Sequence, residues 1–151
     1  MEVRAEPEDG ETRTQVDTTG PEGHLTADVE GLALYYAKDG TGYLLASSQG
    51  NSRFVVYERG GDNAYVGTFR LVADEEAEVD AVSGTDGIDV TSFPLGDAFP
   101  EGVFVAQDNL NITPAENQNF KLASWGAIAN AFDPPLTVDT SWDPRLIGAK
   151  Q

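Results

Sequence analysis

The chain has 151 residues, no cysteine, and a formal net charge of −17 from 26 acidic and 9 basic side chains. That length suits one ordinary domain with a sizeable core. The absence of cysteine excludes disulfides and thiolate metal sites. No apolar run approaches the roughly 18 residues that would span a membrane, and a chain this acidic does not bind nucleic acid through its own field.

Residues 1–26 are polar and rich in turn formers, Glu6-Pro7-Glu8-Asp9-Gly10 and Gly20-Pro21-Glu22-Gly23, with Thr14-Gln15-Val16-Asp17-Thr18 as one exposed strand between them. Glu2-Val3-Arg4-Ala5 reads as the end of a strand without a preceding partner. The stretch is expected to be the tail of a preceding unit plus a connection, and the chain the C-terminal part of a longer protein. His24 lies in the Gly23-His24-Leu25-Thr26 loop with no orienting partner in view and reads as a turn residue.

Residues 27–72 hold four short β-runs: Leu32 to Ala37, Tyr43 to Ser48, Arg53 to Arg59 and Tyr65 to Leu71. Lys38-Asp39-Gly40-Thr41-Gly42 is a strong hairpin signal. The aromatics Tyr35, Tyr36, Tyr43, Phe54 and Tyr57 are expected in the core, with Arg53 and Arg59 solvated. Four antiparallel strands in about 40 residues make one propeller blade.

Residues 73–151 give three runs, Ile88 to Phe93, Val103 to Gln107 and Phe120 to Ala123. A short helix follows from Trp125 to Phe132, stopped by Asp133-Pro134-Pro135. An irregular tail through Asp143-Pro144-Arg145 is expected to lie on this second unit. Between Asp74 and Asp89 stand seven acids (Asp74, Glu75, Glu76, Glu78, Asp80, Asp86, Asp89) and no Lys or Arg. A solvated acidic face accounts for charge in general, but so local a run repels itself unless a divalent cation is near.

The two units repeat. Asp28-Val29-Glu30-Gly31-Leu32 matches Thr85-Asp86-Gly87-Ile88-Asp89, with 56 residues from Glu30 to Asp86. Gly42 and Gly102 then open matching β-runs, and Asn51-Ser52-Arg53-Phe54 answers Asn117-Gln118-Asn119-Phe120. A period near 50 is that of propeller blades. The fold class is therefore all-β, with blades of four-stranded antiparallel sheet and a short C-terminal helix. The chain is too short for a closed ring, which needs at least about four blades. A last blade with three strands fits the borrowing of a strand from elsewhere in the ring.

Asp28-Val29-Glu30-Gly31-Leu32, the run from Gly42 to Ser52, Thr85-Asp86-Gly87-Ile88-Asp89-Val90, Phe104-Val105-Ala106-Gln107-Asp108 and Asn117-Gln118-Asn119-Phe120-Lys121 together resemble the C-terminal segments of the bacterial β-propeller phytases. The likeness runs from about Ala5 to about Trp125. It implies the last two and a half blades of a six-bladed, calcium-dependent enzyme that hydrolyses phosphomonoesters of phytate, secreted or periplasmic in its intact form. Glu30 then matches a glutamate that bridges catalytic calcium ions. Calcium takes several oxygen ligands from separated chain segments, and an acid just before a Gly at the start of an inner strand faces the channel. Asp86 matches an aspartate at the same face, while Asp89 need only bond nearby amides. Asp80 and Asp108 match two ligands of a stabilising calcium, with Asn111 in the same loop. Leu110 departs from the pattern where some members carry an acid, and so does Ala81 where some carry Gly. Asn111-Ile112-Thr113 spells a glycosylation sequon by chance.

The family's phosphate-gripping Lys and Arg residues belong to earlier blades. A phytase fragment inactive alone is therefore the leading expectation, its ring completed by missing blades or by self-association. The alternative is a non-catalytic, calcium-stabilised propeller segment used for binding or assembly.

Overall fold

The computed structural model describes residues 14–143. The strand end at Glu2-Val3-Arg4-Ala5, the Glu6–Gly10 turn and the tail from Pro144 onward lie outside them. The described chain folds into two antiparallel sheets and one helix. The first sheet is a four-stranded meander of β1 (Val29–Tyr36), β2 (Gly42–Ser48), β3 (Arg53–Glu58) and β4 (Tyr65–Phe69), hydrogen-bonded in that order. The second holds β5 (Ile88–Thr91), β6 (Val103–Asp108) and β7 (Asn119–Ser124), also in order, and β7 runs directly into α1 (Trp125–Asn130). All seven β-runs expected from the alternation are present, in two blade-like sheets. The Thr14–Thr18 strand is not. There Asp17 gathers the loop instead, taking the Thr18 amide at 2.6 Å and the His24 amide at 3.3 Å.

The repeat is visible in backbone geometry. Gly42 and Gly102 each open the second strand of their sheet with a positive φ, 126° and 90°. A Cβ there would lie 2.0 Å from the Tyr35 carbonyl oxygen and 2.1 Å from that of Thr91. The same close crossing thus requires glycine twice.

One core joins the sheets: Tyr35, Leu45, Phe54 and Val56 from the first meet Val90, Phe104, Trp125 and Ile128 from the second. The Phe54 and Phe104 rings meet edge-to-face at 4.9 Å, and Tyr35 stacks on Trp125 at 4.3 Å. The edge strands β1 and β5, the first of each sheet, pack side by side.

The tail after α1 does not rest on the second sheet alone. It crosses back over the first. Thr137 N donates to Tyr43 Oη at 2.9 Å, Asp139 N to Tyr35 Oη at 2.8 Å, and Lys38 N to Asp139 Oδ2 at 2.8 Å. Trp142 stacks on Tyr36 at 5.7 Å. A stretch without periodicity carries no sign of this, since these partners lie about 100 positions earlier in the sequence. Arg59 is likewise not merely solvated. Its Nη1 donates to the Gly40 carbonyl at 3.0 Å, and its guanidinium lies 4.5 Å from the Tyr36 ring centroid.

Candidate functional site

The two acidic turns meet at one end of the inner strands. Glu30 is the second residue of β1, and Asp86 stands two residues before β5; both are exposed. Gly31 fixes their approach, because a Cβ on it would lie 2.5 Å from the Asp86 carbonyl oxygen. Only glycine lets the backbone of one sheet run this close to the loop of the next. The 85–87 loop is held from both sides. Ser47 Oγ, fully buried, donates to the Thr85 carbonyl at 2.6 Å. Asp86 N donates to Gln107 Oε1 at 3.0 Å, and Gln107 N to the Gly87 carbonyl at 2.9 Å. Gln49 Nε2 donates to Asp86 Oδ1. Asp89, inside β5, accepts the Val90 amide at 2.8 Å, as its reading as a local backbone acceptor requires.

No Lys or Arg pairs with Glu30 or Asp86 among the described residues. The Thr85 hydroxyl beside Asp86 is buried without a hydrogen-bond partner. Uncompensated carboxylates with a spare hydroxyl form an oxygen-only donor set, the type that a hard cation such as calcium takes. The number falls short: among the described residues no three His, Cys, Asp or Glu side chains gather as a metal cluster. Calcium takes six to eight oxygens, more than the described residues gather at this end of the chain.

Asp80, Asp108 and Asn111 also come together, but around Lys121, which the Asn117–Lys121 motif includes without giving it a part in this site. Lys121 Nζ stands 2.7 Å from Asp80 Oδ1, 3.2 Å from Asp108 Oδ2, 2.7 Å from Asn111 Oδ1 and 3.0 Å from Asn119 Oδ1. All but Asn119 are buried, Asp108 completely. Burial opposes the ammonium charge, yet the bonds from Asp80 and Asp108 outweigh it and raise the Lys121 pKa. The Ile112 amide at 2.6 Å, helped by Lys121, holds Asp80 down at about 2. Leu110 points to solvent, 63% exposed. The donors are those expected for a stabilising calcium, but the ammonium sits at their centre, and this set as folded does not fit a second cation in the same place.

His24 has the partner that its sequence neighbourhood does not reveal. Its Nδ1 lies 2.9 Å from Asp17 Oδ2, and its ring stacks on Tyr65 at 3.5 Å. The same Asp17 oxygen accepts the Tyr57 hydroxyl at 2.6 Å. Burial and this carboxylate together push the Tyr57 ionisation far up. The cluster lies on the loop packed against the outer strands β3 and β4, and it holds that loop in place.

Blade-like sheets whose acidic turns meet at one end define a class: an all-β protein built of repeated antiparallel sheets. The comparisons narrow it. The family model described as Phytase matches residues 1–150. The chain is 52% identical over 146 residues to the 3-phytase of Bacillus subtilis (strain 168), an alignment covering 95% of this chain and 37% of that protein. The chain belongs to the phytase family, and it spans little more than a third of the length of this relative.

Proposed function

We propose that this chain forms part of the active-site end of a calcium-dependent phytase, a 3-phytase that hydrolyses phosphomonoesters of myo-inositol hexakisphosphate. The observation that carries the reading is the close backbone approach of the Glu30-Gly31 and Asp86 turns across the boundary between the sheets, without a basic partner for either carboxylate among the described residues. Calcium, when bound, offers positive charge to phosphate oxygens and activates water for attack on phosphorus. Glu30 and Asp86 would be ligands for it, and the Thr85 hydroxyl is a further oxygen at hand. The Ser47, Gln49 and Gln107 bonds keep the Asp86 loop rigid, as a working site needs to within about 0.5 Å.

The rest of the site lies on other blades in this reading. Two apolar faces support this: Leu32 (65% exposed) on β1, and Phe120 (65%) with Leu122 (57%) on β7. Such surface is buried when further blades, or another copy of the chain, complete the ring. Of the described bases, Arg59 and Lys121 are spent on the fold itself. The chain alone is therefore expected to release little phosphate.

The test is a phosphate-release assay on phytate, in calcium and in chelator. It compares this chain with the same chain extended upstream by the length its relative carries. Turnover by the extended chain, lost on Glu30→Ala or Asp86→Ala, supports the reading. An extended chain that binds calcium but turns over no phytate would instead make this a calcium-stabilised binding segment, which the shortage of gathered carboxylates also accommodates.

A further inference from the structure

We propose that Gln49 is a positioning residue for Asp86, aiming its carboxylate from the neighbouring sheet; the inference rests on the calcium reading above. Asp86 precedes β5, whereas Gln49 opens the single 3-10 turn Gln49–Asn51 that follows β2. The two residues belong to different sheets and are 37 positions apart. Gln49 Nε2 donates to Asp86 Oδ1. The polarity of that contact is fixed by chemistry: an ionised carboxylate only accepts, so the amide nitrogen must face it.

Gln49 is itself held where it needs to be. Its backbone N donates to the Asp28 carbonyl at 2.9 Å, two residues before Glu30. One residue thus ties the start of the Glu30 strand to the Asp86 side chain. Ser47, two positions earlier, fastens the Thr85 carbonyl. On the far side Gln107 holds the Asp86 backbone but not its carboxylate. The division of labour is clear: the second sheet fixes where Asp86 stands, and Gln49 fixes how its carboxylate is turned. With Oδ1 engaged, Oδ2 has no donor among the described residues.

The choice of an amide has a consequence for charge. A Lys or Arg at position 49 would orient Asp86 equally well but would cancel the charge that attracts a cation. A neutral donor orients the carboxylate and leaves it anionic. Groups that orient a ligand in this way typically change metal affinity 10- to 100-fold when removed.

The experiment is a calorimetric calcium titration of the whole chain with four variants, each also melted in chelator. Gln49→Met keeps the length and loses the amide donor. Asp86→Asn removes the ligand charge, and Glu30→Gln does the same across the boundary. Asn51→Ala is the control, since that side chain of the same turn bonds only Thr26 Oγ1, at 3.0 Å. The expected result is a calcium affinity at least about tenfold weaker in Gln49→Met, with its melting temperature in chelator near that of the parent and Asn51→Ala unchanged. Two results overturn the inference while leaving the calcium reading in place. One is parental affinity in Gln49→Met while Asp86→Asn loses binding. The other is a Gln49→Met chain that melts early in chelator but binds calcium as the parent does, the mark of a merely structural seam contact. If neither Asp86→Asn nor Glu30→Gln weakens binding, the calcium reading itself falls, and the inference with it.

Discussion

Lys121 Nζ lies 2.7 Å from Asp80 Oδ1 and 3.2 Å from Asp108 Oδ2, so one ammonium serves two acids that reach it from different segments of the second unit. It is the only Lys or Arg between Ile88 and Ser124. Here the charge balance is internal to the fold, and two expectations about stability follow from it.

Asp108 is completely buried and also accepts the Ser83 amide at 3.0 Å. Asp108→Ala strips that amide and one partner of the ammonium. Breaking a buried pair from one side costs about 3–5 kcal/mol. Urea unfolding is expected to show that loss equally in calcium and in chelator. A loss present only in calcium would mean that a metal ion, not Lys121, holds Asp108.

The Asp80 carboxyl titrates at about 2 instead of the usual 3.8 because the Ile112 amide and Lys121 favour its ionised form. The folded state therefore binds this proton less readily than the unfolded chain does. The associated stability is complete above the unfolded value and is lost as pH falls from near 4 through about 2. Asp80→Asn removes the titration. Its unfolding free energy is expected to vary less with pH across that window than the parent's, measured by denaturant melts at half-unit steps.

Gly31→Ala places a methyl group 2.5 Å from the Asp86 carbonyl oxygen. The sheets must part locally to admit it. Overpacking of this kind costs about 1–3 kcal/mol, and because the strain falls on the 86–87 backbone, calcium affinity should fall as well. Unchanged stability and unchanged calcium binding together would show that the acidic turns are not in contact.

Asp17→Ala removes the acceptor shared by the Thr18 and His24 amides, the His24 ring and the Tyr57 hydroxyl. Bonds to a charged acceptor contribute about 1.5–3 kcal/mol each at most. Hydrogen exchange at Thr18 and His24 is expected to accelerate, while amides of β2 and β6 keep their protection. Uniform acceleration across both sheets would make the loop part of the global folding unit.

The strands were legible because alternation and turn chemistry agreed. Lys38 to Gly42 and Gly60 to Asn63 punctuate β-runs whose buried members, Tyr35, Leu45, Phe54 and Val56, recur at the expected spacing. Facing was not legible at β7. Alternation has the same period whichever face is inward, and there Lys121 is buried while Phe120 and Leu122 are exposed. Asp80, 41 positions away, and Asp108 on the neighbouring strand hold Lys121 inward. The acidic pair Glu30 and Asp86 was legible from repetition, but their clamps were not. Gln49 and Gln107 read as ordinary polar residues at strand ends until the sheets are set side by side. Asp17 and His24 sit seven residues apart in a loop with no period at all, so their pairing has no signature in the pattern.

The band from Leu136 to Trp142 has a consequence for the order in which the molecule is made. Asp139 bonds Tyr35 across 104 positions and Lys38 across 101, and Thr137 bonds Tyr43 across 94. These clamps are synthesised well after the strands that they hold, and contacts so distant in sequence close late. At synthesis rates of about 5–20 residues per second, the first sheet waits some seconds between its own emergence and the arrival of its fastener. In that interval Tyr35, Tyr43 and Tyr36 lack their tail partners, and the nascent chain offers a chaperone an aromatic edge that the finished protein conceals.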